Sequence, residues 1–139
     1  MKKILIVEDT EDGMEIMTRS LEKNYLIVKA YNGKEALKKA ISERPNLILM
    51  DISLPIMDGL SVTRRIRSTK DIEDIPIVAV SAGAMPHNIT DAMEAGCNDF
   101  IAKPVRPGLL REKVNQMVDK SPVHSRSSIV DCGTLNSKS

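Results

Sequence analysis

Five polar side chains stand at the ends of short apolar runs. Glu8 and Asp9 follow Ile4–Val7, Asp51 follows Leu47–Met50, Ser81 follows Ile77–Val80, and Lys103, with Pro104 after it, follows Phe100–Ala102. Carboxylates accept and can ligate cations, while a hydroxyl and an ammonium can contact an anion. Taken singly, each residue is ordinary. Paired acids in a loop are usually solvated, an Asp after a strand is often a helix cap, and a loop Ser or a Lys before Pro usually faces water. Their joint placement is what carries weight. Capping does not call for Lys103, and solvation does not favour a short hydroxyl at position 81.

The elements that must position these groups are legible as alternation. Ile4–Val7, Leu26–Ala30, Leu47–Met50 and Ile77–Val80 are short and rich in β-branched residues and leucine, as buried parallel strands are; Phe100–Ala102 is a weaker fifth run. Between them the period lengthens. Met14, Met17 and Leu21 mark a first helix, and Ala36, Leu37, Ala40 and Ile41 share one face of a second. Leu60, Val62, Thr63 and Ile66 form the apolar side of a third, the least regular; Ile89, Ala92, Met93 and Gly96 that of a fourth; and Leu110, Val114, Met117 and Val118 that of a fifth. Asn32 and Gly33 suit the entry to the second helix, Asp58 a cap, Pro86 an early helical position, and Gly96 a left-handed helix end. The order is (βα)5, which predicts a parallel sheet covered on both faces with right-handed crossovers. In such a sheet ligands bind beyond the carboxyl ends of the strands, where the five polar residues stand.

Bulk properties narrow the classes. The 139 residues suit one domain, and 42% hydrophobic with 28% charged residues is an ordinary globular balance. Tyr25, Tyr31 and Phe100 are the only aromatics, too few for a base-stacking platform, and a net charge of +1 exerts no broad pull on nucleic acid or anionic membrane. Cys97 and Cys132 lack zinc or redox-pair spacing and read as free thiols. The apolar run at the start is too short for a signal peptide and no stretch is long enough to span a bilayer, so the expectation is a cytoplasmic protein with no membrane or nucleic-acid partner.

The segments Ile-Leu-Ile-Val-Glu-Asp (4–9), Leu-Ile-Leu-Met-Asp-Ile-Ser-Leu-Pro-Ile-Met-Asp-Gly (47–59), Val-Ala-Val-Ser-Ala (78–82) and Ala-Lys-Pro (102–104) resemble response-regulator receivers of two-component systems, of the CheY-like, single-domain kind. The resemblance covers about residues 2–119. It implies a flavodoxin-like three-layer α/β sandwich whose five-stranded parallel sheet runs in the order 2-1-3-4-5. It further implies that Asp51 accepts a phosphoryl group from a phosphohistidine on a sensor histidine kinase or a histidine phosphotransfer protein. Mg2+ (or Mn2+) would be held by Asp9 and Asp51 directly, by Glu8 through water and by the backbone carbonyl of Ser53. Ser81 and Lys103 would contact the phosphoryl oxygens, and the same site would hydrolyse the product, with Ser53 and Gly83 tuning its lifetime. Given that strand order, spacing explains the residue types. Strand four adjoins strand three, so a short Ser81 suffices, whereas strand five lies roughly 10 Å away and needs the length of Lys103.

The resemblance also implies a switch in which the Ser81 hydroxyl moves inward and Phe100 turns into the vacated space, and a cis Lys103–Pro104 bond. The output surface is expected at about residues 86–119, with His87, Asn88, Arg106, Arg111 and Lys113 as exposed candidates for contact with a downstream protein. Residues 1–119 are read as the receiver domain and 120–139, serine-rich and without period, as a flexible tail or linker stub. No metabolic substrate is expected. A haloacid-dehalogenase-like phosphatase would place a second Asp where Ser53 stands; a flavodoxin would follow strand one with hydroxyl-rich residues; a DNA-binding protein would show a basic recognition element. A receiver cut from a hybrid kinase stays open as the origin of the chain.

Overall fold

A computed structural model of the chain describes residues 1–52, 58–82 and 86–118, without the side chains of Pro86 and His87. Five strands, β1 (Lys3–Val7), β2 (Leu26–Ala30), β3 (Leu47–Asp51), β4 (Ile77–Ser81) and β5 (Asp99–Ala102), alternate with five helices, α1 (Glu11–Leu21), α2 (Gly33–Glu43), α3 (Gly59–Arg67), α4 (Pro86–Ala95) and α5 (Pro107–Val118). All strand pairs are parallel and the order is β2-β1-β3-β4-β5. The fold class and strand order expected from the sequence are those observed. After β2 the chain crosses to the other side of β1, so the switch point lies between the carboxyl ends of β1 and β3.

Alternation along the strands builds two cores. Ile4, Ile6, Leu47, Leu49, Val78, Val80 and Ile101 pack with Met14, Met17 and Leu21 of α1 and Leu110, Val114, Met117 and Val118 of α5. Leu5, Val7, Ile48, Met50, Ile77 and Ala79 face α2, α3 and α4 through Ala36, Ala40, Val62, Ile66 and Ala92. Residues 4–7, 47–50 and 77–80 are fully buried, and each large aliphatic side chain so placed contributes about 1.5–3 kcal/mol. With both faces covered, the polar work is left to the strand ends.

Local signals account for the helix starts. Thr10, Asn32 and Asp58 are extended N-caps whose side chains accept from the backbone N–H of Gly13, Glu35 and Ser61. Pro86 opens α4, and Gly96 has a φ of +118°, the left-handed turn expected after that helix.

Four sequence expectations need correction. Asp51 and Ser81 are the last residues of β3 and β4, not residues beyond them, because both strands keep their ladder one position further. β2 is not a buried strand. It is the sheet edge, paired on one side only, with β1, and its Leu26 is half exposed. On α2, Ile41 is exposed while Ala36 and Ala40 pack on the sheet. On α4, Ile89 and Met93 are exposed, while the small Ala92 and Ala95 are the residues turned to the core. The expected tail at 120–139, and Cys132 within it, lie outside the described residues.

Candidate functional site

The first-strand acids end β1 in different environments. Glu8 continues the ladder through its N–H to the Ala30 carbonyl (3.0 Å) and is fully buried, whereas Asp9 is exposed. Asp51, at the end of β3, is 1% exposed. By alternation Glu8, Asp51 and Lys103 point to the α1/α5 side of the sheet, and Ser81 to the other. The carboxylates of Glu8, Asp9 and Asp51 each offer an oxygen within 4.8 Å of the other two. Lys103 arrives from β5, its N–H bonded to the Ser81 carbonyl (2.8 Å). Its Nζ lies 3.0 Å from Glu8 Oε1 and 3.3 Å from Asp51 Oδ2. The Lys103–Pro104 peptide is cis.

Burial alone would lower the Lys103 ammonium, but its close contact with Glu8 and the charges of Asp51 and Glu8 more than reverse this, so it stays protonated above the usual lysine range. One ammonium against three carboxylates leaves two formal negative charges at the rim. Glu8 Oε1 is fully buried and accepts no hydrogen bond of good geometry. Oxygen donors, a surplus of negative charge and an under-used buried oxygen together fit a hard divalent cation such as magnesium.

Ser81 is buried beside this cluster, in register with Ala102 on β5. Phe100 is half-buried on the same face, paired with Ala79 and packed on the core that includes Ala92 and Cys97. Ser53, Gly83 and the His87 side chain lie outside the described residues. Of the exposed candidates, Arg106 and Arg111 are exposed and Asn88 is half-buried, but Lys113 is not a free cation, for its Nζ pairs with Asp99 Oδ1 at 3.1 Å. A groove of about 220 Å³ shares Glu8 and Lys103 with the site and is walled by Ile16, Met17, Pro104 and Val105.

Sequence reading missed Thr10 and Gly13. The Thr10 hydroxyl donates to Glu8 Oε2 (2.9 Å), the Thr10 N–H adds a longer bond (3.3 Å), and Thr10 Oγ1 accepts from Gly13 N–H (3.1 Å). A Thr followed by two acids reads as a helix cap; nothing in its spacing announces that its proton goes to Glu8.

Residues 4–115 match the family described as the response regulator receiver domain. The chain is 39% identical over 105 residues to the polar-differentiation response regulator DivK of Brucella anthropi, covering 75% of this chain and 85% of that protein. It is 42% identical over 118 residues to the hybrid signal transduction histidine kinase G of Dictyostelium discoideum, a match covering 82% of this chain and 3% of the kinase. Among solved structures, it superposes with a TM-score of 0.75 and 34% identity on the receiver domain of a sensor histidine kinase from Pseudomonas aeruginosa, over 84% of this chain and 97% of that one. That structure is described with a magnesium ion coordinated in its active-site cleft. The chain belongs to the response regulator receiver family, a signalling module of two-component systems.

Proposed function

We propose that this receiver is switched by phosphorylation of Asp51, with a phosphohistidine of a sensor histidine kinase or histidine phosphotransfer protein as donor and Mg2+ (or Mn2+) as cofactor. The observation that carries the reading is Lys103 Nζ within 3.3 Å of both Asp51 and Glu8, above three mutually close carboxylates. An Asp51 oxygen forms the bond to phosphorus as the donor's P–N bond breaks and the imidazole leaves with the electron pair. Transition states of this kind are loose, so positioning and charge neutralisation dominate. Lys103 keeps its positive charge and turns toward a phosphoryl oxygen; Ser81, one strand from Asp51, donates its hydroxyl to another. Asp9 and Asp51 would hold the cation directly, Glu8 would act through water, and Ser53 through its carbonyl. When bound, the cation would supply positive charge that offsets the negative charge of the carboxylates and of the incoming phosphoryl group. Hydrolysis of the acyl phosphate at the same residues ends the signal.

The switch would run through Ser81 and Phe100, which share a face of the sheet two residues apart in register. Phe100 has no hydroxyl to report the change, so packing against Ala79 and α4 would carry it to a downstream protein along residues 86–119. The groove beside Lys103, apolar on its Ile16 and Val105 walls, suits docking of the donor protein. Among the described residues no helix is long and apolar enough to cross a membrane. Residues 1–119 would form the receiver and 120–139 a tail or linker. The match to a segment of a hybrid kinase favours a second reading, in which the chain is the receiver portion of a longer protein; genomic context separates the two.

The test is incubation with acetyl phosphate and MgCl2, followed by intact mass. Wild type gains one phosphate, labile to hydroxylamine, and Asp51→Asn gains none. Hydroxylamine-sensitive phosphate on Asp51→Asn would overturn the assignment.

A further inference from the structure

The two oxygens of the Glu8 carboxylate are treated differently. Oε2 receives the Thr10 hydroxyl at 2.9 Å and the Thr10 N–H at 3.3 Å. Oε1, fully buried, accepts no hydrogen bond of good geometry, and it lies 3.0 Å from Lys103 Nζ. The Thr10 hydroxyl can serve Glu8 because Gly13 N–H already occupies its acceptor side, which directs its single proton outward and polarises it. The cap that starts α1 and the orientation of a buried acid are therefore one hydrogen-bonded chain.

Gly13 makes room for that chain. A Cβ at this position would sit 2.7 Å from Glu8 Cδ, 2.9 Å from Glu8 Oε2 and 2.8 Å from Thr10 Oγ1. Real Cβ atoms do not approach so closely, so the Thr10 hydroxyl and the fully buried Glu8 carboxylate would have to shift. Gly13 lies in the first turn of α1, where replacement by Ala would ordinarily favour the helix. Its presence there has a local reason.

We infer that Thr10 and Gly13 are positioning residues that hold Glu8 by one oxygen so that the other faces the cation and Lys103. This inference rests on the reading of Glu8, Asp9 and Asp51 as a magnesium site. Neither residue touches the reacting atoms.

The test is titration of the folded, full-length chain with MgCl2 alone, followed by backbone amide shifts, beside urea unfolding of each variant without metal. Thr10→Val, which keeps the shape and loses the hydroxyl, is expected to bind Mg2+ about 10-fold or more weakly, the usual scale for groups that orient a ligand. Thr10→Ser restores affinity to within about twofold, since it keeps both hydrogen bonds. Gly13→Ala weakens binding as Thr10→Val does, although helix propensity alone would make it the more stable chain. A purely capping role for Thr10 would lower the urea midpoint and leave Mg2+ affinity unchanged; that outcome, or Gly13→Ala binding as wild type does, overturns the inference. Absence of Mg2+ binding by wild type would instead sink the magnesium site itself.

Discussion

Lys103 stands a quarter exposed, with Glu8 Oε1 at 3.0 Å and Asp51 Oδ2 at 3.3 Å. Replacing it by Met leaves two buried carboxylates facing each other without a cation. Breaking a fully buried pair costs about 3–5 kcal/mol, and exposure of the amine reduces this, so Lys103→Met is expected to lose about 1–3 kcal/mol in metal-free urea unfolding. Because its folded-state value lies above the ordinary 10.5, the Lys103 contribution is complete below that pH and declines as pH rises through the folded value. The difference between wild type and Lys103→Met should therefore be flat across neutral pH and shrink only above 10.5. A difference that vanished near neutrality would mean that the ammonium is not held by the two carboxylates. The residue scale also explains why Lys103 is not interchangeable with a shorter cation. β5 is two strands from β3, and the amine must cross that distance to reach Asp51.

Between elements, one side chain joins pieces that the sequence reading left as loop. Arg67, at the end of α3, donates Nε to the Gly96 carbonyl (2.9 Å), Nη1 to the carbonyls of Glu73 and Ile75 (both 2.8 Å), and Nη2 to Asn98 Oδ1 (2.8 Å). Asn98 in turn accepts from Ile77 N–H and so ties β5 to the start of β4. The guanidinium thus links α3, the approach to β4 and the end of α4. Burial lowers its pKa despite nearby Cys97 and Asp74, yet a guanidinium stays charged at any working pH. Arg67→Ala strips partners from three carbonyls at once and is expected to cost about 2–4 kcal/mol in urea unfolding. Arg67→Lys should recover less than half of that, since an ammonium cannot reproduce the planar fork. Full recovery by Lys would show that charge alone was needed.

At the scale of the molecule, the sheet is covered on both faces, while β1 and β3 diverge in connection at one rim. Three carboxylates and one ammonium meet at that rim, so cation binding should stabilise the whole fold cooperatively. At Mg2+ one hundred times its dissociation constant, unfolding free energy is expected to rise by about 2.7 kcal/mol. Asp9→Asn, which removes an exposed carboxylate from the cluster, should show a smaller rise at the same concentration, read from urea midpoints with and without MgCl2. Equal stabilisation of the two chains would place the cation elsewhere. Net charge of the chain is +1, so a local effect of this kind is not masked by global attraction for divalent ions.

Alternating apolar runs determined the (βα)5 order, because a strand buried on both faces and a helix buried on one leave different periods in the chain. The strand-end residues Glu8, Asp9, Asp51, Ser81 and Lys103 were legible for the same reason: polar types interrupt the run where the sheet stops. Tertiary structure alone decided which faces are covered. Ile41, Ile89 and Met93 look like core by spacing yet are exposed, whereas Ala92, expected on the buried face, and Ala95, which was not, are both buried; a local period does not tell these positions apart. It also decided that the Thr10 proton goes to Glu8 and that a Cβ at Gly13 would crowd both side chains. Hydrogen-bond partners and close approaches depend on where separate segments meet in space, and residue types along the chain do not specify that meeting.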